Sequence, residues 1–159
     1  MDKVITTALL MMASVVAAMA LINAFLPALG KSTSALAVAN SQAAARIKTD
    51  LEIIYSTGDT GGTVTAWAKN VGTQVIRSIK DSDVIIIKPS AAGGVKRLSY
   101  VAGCTSPSEC WDFTIEDSKT AWTTAVTVKF VLTTTVTSGS YTISIAAPNG
   151  ITATKDFSV

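Results

Sequence analysis

The chain contains no histidine. That removes the commonest general base and the commonest metal ligand, and no Ser-His-Asp arrangement can be built. Cysteine is scarce: Cys104 and Cys110 stand alone, close together in GCTSPSEC. A zinc site needs more thiolates or histidines than this. The turn chemistry around the pair favours a disulfide closing a short loop, in an oxidising, extracytoplasmic setting; two unpaired thiols are the alternative. Charge is sparse as well, with 15% charged residues and a net charge of +2. No basic stripe is present, so nucleic-acid binding has no footing. No glycine-rich loop precedes a helix to cradle phosphate. The acidic residues Asp81, Asp83, Asp112, Glu116 and Asp117 are loosely spaced and match no EF-hand loop. They read as solvated turns, with a structural cation as the alternative. Neither an enzyme nor a cofactor is expected.

What is abundant is apolar sequence at the N-terminus. From Val4 to Gly30 no residue is charged. As a helix this stretch spans roughly 40 Å at ~1.5 Å per residue, more than the ~30 Å hydrocarbon core of a bilayer. A secretory signal peptide is the competing reading. It fails because the apolar run outlasts a signal's hydrophobic region and continues past each A-x-A pattern. Small residues recur four apart, as at Ala13/Ala17, Ser14/Ala18 and Ala20/Ala24. That spacing lets helix backbones approach closely. Met11, Met12 and Met19 add adaptable filling. A helix packing among its own copies is therefore expected, with Leu9, Leu10, Met12, Ala13, Val16, Ala17, Ala20, Leu21, Ala24 and Phe25 as its polymerisation core. An ordinary single anchor is the alternative. Pro27 cannot donate to the carbonyl of Asn23, and Gly30 follows, so a kink or loosened turn is expected over Asn23, Pro27 and Gly30. The helical pattern then resumes, with Leu36, Ala39, Ala43 and Ile47 on one face. The helix is expected to end near residues 50–53, on the order of 75 Å from its start.

From Leu51 the pattern changes to short runs rich in β-formers. Nine strands are predicted: 51–56, 63–70, 74–79, 83–88, 96–102, 110–115, 125–134, 140–147 and 151–159. TGDTGG, VGT, KDS, PSAAGG, TSPSE and PNG separate them. Strand alternation places Val126, Val128, Phe130 and Leu132 on one face, and Tyr141, Ile143 and Ile145 on another. The tryptophans Trp67, Trp111 and Trp122 read as packing residues. The fold class is therefore α+β: a long N-terminal apolar α-helix over 1–50, then an all-β Ig-like sandwich over 51–159.

Two segments sharpen this. WAKNVGTQVI carries a strand ending in Lys-Asn-x-Gly, and GSYTISIAAPNG carries Gly-x-Tyr, alternating apolars and Pro-Asn-Gly. With the apolar helix ahead of them, these segments resemble the archaellin family and its accessory relatives. The resemblance implies a structural subunit of an archaellum-type helical filament for swimming, polymerised through the N-terminal helix. Its implied partners are copies of itself, the basal motor and membrane platform, and the cytoplasmic membrane before assembly. The implied location is an extracellular cell-surface filament. Type IV pilins share the helix but usually carry glutamate where Ile5 stands, which favours the archaellin side. The chain opens Met1-Asp2-Lys3 without the family's short basic leader, which fits either a mature start or an unprocessed accessory subunit. No Asn-x-Ser/Thr sequon occurs, so any sugar would sit on Ser or Thr. The alternatives are an anchored accessory subunit linking stator and surface layer, a type IV pilin-like adhesion filament, and a tethered binding sandwich.

Overall fold

The computed structural model describes residues 2–89, 94–105 and 109–159. Parts of the expected PSAAGG and TSPSE turns, and the reading of Met1, lie outside these residues. The chain divides into two units, residues 2–43 and 44–159. The first is helix alone, and the second begins with the last helical turn.

Helix α1 runs from Asp2 to Lys48. It starts with Asp2 and ends with Arg46 and Lys48, so the charges at its termini complement the helix dipole. Asn23, Pro27 and Gly30 all lie inside it, and helical structure continues through them. None of its residues is buried. Its end falls slightly before the expected 50–53.

Among the described residues eight strands follow: β1 Leu51–Gly58, β2 Thr63–Asn70, β3 Asp83–Ile87, β4 Val95–Tyr100, β5 Cys110–Ile115, β6 Thr127–Thr133, β7 Ser140–Ala146 and β8 Thr152–Ser158. Their spatial order is β1-β2-β6-β5-β4-β3-β7-β8. The quartets β1-β2-β6-β5 and β4-β3-β7-β8 are antiparallel throughout. They join through a short parallel contact, Ser99 opposite Cys110 and Tyr100 opposite Trp111. At the other side β1 approaches β8. A Cβ on Gly58 would stand 2.7 Å from Val159 Cγ2 and 3.0 Å from Phe157. The result is a sandwich that nearly closes into a barrel.

The core follows the strand alternation. Val64, Ala66 and Ala68 of β2 and Val128, Phe130 and Leu132 of β6 have no exposure. Trp111 and Trp122 flank Phe130 at ring distances of 5.5 and 5.7 Å. Tyr141, near the start of β7, turns its hydroxyl back to the carbonyl of Thr137 at 2.9 Å and accepts the Thr137 amide at 2.9 Å. Ig-type sandwiches carry such a tyrosine corner. Burial works to raise the Tyr141 pKa. The Thr137 hydrogen bonds and the Lys88 cation over the ring outweigh it and hold the phenol below its ordinary value.

The segment predicted as a strand over 74–79 is not one. Ile76 makes an isolated bridge to Trp122, and a 3-10 turn covers Ile79–Asp81. The amides of Thr73 and Gln74 point at the carbonyl of Lys48, at 2.8 and 3.0 Å. Entry to this segment is thus committed to the helix end, and no ladder can start there.

Asn70 organises this region. It is fully buried. Its Nδ2 donates to the carbonyls of Gln74 (2.8 Å) and Trp122 (3.0 Å), and its Oδ1 accepts the Gly72 amide (3.0 Å). Its own amide donates to Val126 and its carbonyl accepts from Ala125, at 3.1 and 2.7 Å. Every hydrogen-bonding group of the residue is thereby engaged. Replacing Asn70 with Ala removes three side-chain hydrogen bonds. The Gly72 amide keeps Asp50 O and the Trp122 carbonyl keeps the Ile76 amide, while the Gln74 carbonyl loses its side-chain donor, and a group left unmade costs about 1–3 kcal/mol. We expect Asn70→Ala to lower unfolding stability by about 2–4 kcal/mol, read by denaturant unfolding of the detergent-solubilised chain.

Candidate functional site

The first candidate surface is the helix itself. The expected core residues Leu9, Leu10, Met12, Ala13, Val16, Ala17, Ala20, Leu21, Ala24 and Phe25 all lie on α1, and all are exposed. At 3.6 residues per turn they cover more than half its circumference. Val15, Met19, Ile22 and Leu26 occupy the rest and are also exposed. A helix apolar all round requires an apolar environment on every side, as lipid or a bundle provides. Its length and composition suffice to cross a membrane. The hydroxyls within it need no outside partner. Thr6 donates to Asp2 O (2.7 Å), Ser14 to Met11 O (2.8 Å) and Thr33 to Leu29 O (2.8 Å). Such back-bonding lets Ser and Thr sit in an apolar medium without an unsatisfied donor.

The second surface is the outer face of β1, β2 and β6. A bulge between Ile53 and Tyr55 inserts Ile54 into β1. The bulge turns both Ile54 and Tyr55 outward, leaving them 48% and 57% exposed. Tyr55 lies 5.6 Å from Trp67 of β2, and Lys129 of β6 stands 5.7 Å from the Trp67 ring. Val71 is exposed at the end of the same hairpin. Of the three tryptophans, Trp111 and Trp122 are core residues, whereas Trp67 lies on this face.

The third feature is the cysteine pair. Cys104 and Cys110 form a disulfide, with Cα atoms 5.9 Å apart. It ties the segment after β4 to the first residue of β5. Asp112 supports the same turn by accepting the Gly103 amide at 2.8 Å. Nearby, Lys96 of β4 pairs with Glu109, which also accepts from Thr134 and Thr135 at 3.4 and 3.3 Å. The Lys96 hydrogen bond, against the opposing effect of burial, holds the Glu109 carboxyl below its ordinary value. Asp83 pairs with Arg97 at 2.5 Å.

Among the described residues no three His, Cys, Asp or Glu side chains gather as for a metal. Among the described residues, two surface hollows bear on this question. One, about 330 Å³, is floored by Tyr141, Thr142, Asp156 and Phe157, and there Asp156 is already bonded to Thr142 at 2.6 Å. The other, about 270 Å³, lies beside Ala45, Gln74, Arg77 and Asn149. Neither places a nucleophile beside a base.

Sequence reasoning singled out the helix and the cysteines but missed the Tyr55–Trp67 face. The signal was present as two adjacent apolar residues, Ile54 and Tyr55, which break strict alternation.

No protein-family model matches the chain, and no curated protein does. Among solved structures it is similar to the archaellum periplasmic stator protein FlaG from Sulfolobus acidocaldarius. That likeness has 27% identity and a TM-score of 0.56, and covers 69% of this chain and 99% of that one. The archaellum periplasmic stator protein complex FlaF and FlaG from the same organism also matches. Its TM-score is 0.53 at 27% identity, over 67% of this chain and 87% of that one. The chain resembles an accessory protein of the archaellum. The expected archaellum relationship and the helix-plus-sandwich fold therefore stand. The likeness lies with stator proteins, and it adds nothing for the filament subunit.

Two outcomes follow for the sandwich. Reducing the Cys104–Cys110 link should cost about 2 kcal/mol, the entropy of closing so short a loop, seen as a lower unfolding midpoint with dithiothreitol. A carboxyl with a depressed pKa adds stability above its ordinary range and loses it as pH falls through the lowered value. Glu109→Gln should therefore cost about 0.5 kcal/mol at most at pH 7 for so exposed a pair, read as a slightly lower melting temperature. The difference from wild type should vanish in acid below the lowered pKa.

Proposed function

We propose that this chain is a membrane-anchored accessory subunit of the archaellum, of the stator kind. In this reading α1 holds the chain in the cytoplasmic membrane, and the sandwich works on the outer side. The observation that carries it is the likeness of this chain to the FlaG stator protein over nearly all of that protein's length, at 27% identity. The apolar helix supports it. Burying each large side chain between Val4 and Gly30 is worth ~1.5–3 kcal/mol, so the segment does not stay in water. Because the similar FlaG also occurs in a complex with FlaF, we take the partner of this chain to be a second periplasmic archaellum protein. Its work is mechanical: it resists motion and transforms no substrate. The filament reading requires instead that α1 leave the bilayer for a bundle of its own copies. Lipid tails are about as apolar as leucine, so that transfer gains little from hydrophobicity and depends on small-residue packing.

Cell fractionation and microscopy separate the two. The chain should remain in membranes after alkaline washing and be absent from sheared filaments. In detergent it should form discrete particles. Deleting it should abolish swimming while filaments persist. Recovery of the chain along the length of purified filaments would overturn the stator reading.

A further inference from the structure

A helix ends weakly because its last carbonyls have no partners within the helix. Many helices solve this with a glycine in the left-handed conformation just past the end. Here Thr49 and Asp50 follow Lys48, and the solution comes from another part of the chain. The Lys48 carbonyl accepts the amides of Thr73 (2.8 Å) and Gln74 (3.0 Å), and the Asp50 carbonyl accepts those of Val71 (3.0 Å) and Gly72 (3.1 Å). Thr49 donates its hydroxyl to Ala45 O at 2.8 Å and receives Asn149 Nδ2 at 2.6 Å. The Thr49 amide closes onto Arg46 O at 3.1 Å. All these groups belong to the 44–159 unit.

Gly72 sits at the centre. A Cβ there would stand 2.5 Å from the Lys48 carbonyl oxygen and 3.0 Å from the Thr49 carbonyl carbon, and would also strike the Asp50 nitrogen. These are backbone atoms and cannot swing aside. Gly72 is not among the residues with positive φ. Space alone, and not backbone freedom, demands glycine at this position. Behind it, Asn70 fixes the 72–74 segment through Gly72 N and Gln74 O.

We propose that residues 45–50 and 70–74 form a lock that keeps the last helical turn closed under load, with Gly72 as its positioning residue. The proposal rests on the anchored stator reading for the source of the load. Residues 48–50 are the single covalent route between α1 and the sandwich, so any force between them crosses this point. A helix end held by its own bonds would unwind residue by residue. Here the four amides of residues 71–74 engage the route side by side and must yield together.

The test is hydrogen exchange on the full chain in detergent, with single-molecule pulling between residue 31 and the C-terminus. In wild type the amides of Thr49, Thr73 and Gln74 should be protected nearly as well as those of β6. In Gly72→Ala their protection should fall about 100-fold while β6 and β7 stay protected, and pulling should reveal an early, short extension before the sandwich opens. Thr49→Val removes the hydroxyl link while keeping shape, and should loosen the same amides about 10-fold. Unchanged protection and an unchanged first rupture in Gly72→Ala would overturn the lock. If Gly72→Ala unfolds the whole sandwich, Thr49→Val decides: loosening confined to the junction supports the lock, and wild-type behaviour overturns it. These readouts do not depend on swimming. A deletion strain that swims normally would remove the stator reading and leave the lock to stand or fall on exchange and force.

Discussion

The buried amide of Asn70 is the constraint on which the junction end of the sandwich depends. A side chain with two donors and an acceptor was taken out of water, and each group found a backbone partner. Those partners lie on two segments, the 72–74 turn and the Trp122 loop, and Asn70 joins both to the end of β2. Trp122 then donates its indole N–H to Val126 O at 3.0 Å and packs on Phe130, which carries the constraint into the core. Ala125 bears part of the cost. It is held at φ 66, left-handed for a residue with a side chain, while its amide reaches Asn70 O. An apolar residue at position 70 would fill the space but take these three side-chain hydrogen bonds from the turn and the loop.

Much of the architecture was legible because period and punctuation agreed. Val126, Val128, Phe130 and Leu132 are all buried as alternation requires, and Tyr141, Ile143 and Ile145 likewise. The apolar run fixed the helix, and the spacing of the cysteines suited their link. The failure at 74–79 has a physical cause. The segment 74–79 looks like a strand by composition, but its first amide is drawn to a carbonyl distant in sequence, and no local pattern reports that. The same holds for Lys-Asn-x-Gly. The sequence displays the motif, yet the reason for it, an amide hub beside a glycine pressed against helix-end backbone, exists only once the chain has folded. The bulge at Ile54 was half legible, since it breaks alternation without saying which way Tyr55 would turn.

The helix illustrates why composition alone divides filament from anchor poorly. Small residues four apart, methionines and self-satisfied hydroxyls suit both fates, because lipid and a helix bundle impose the same demand: no bare polar group and no charge. What bears on the choice is the likeness of the chain to the FlaG stator protein, not the helix.

The covalent ring closed by Cys104 and Cys110 has one more result. A protease that cuts between the two cysteines produces no fragments, because the severed halves remain joined through sulfur. β4 and β5 keep their neighbours, and the nick is silent until a reductant arrives. One cut inside the ring therefore leaves a single covalent molecule, and a second event, reduction, is needed to part it.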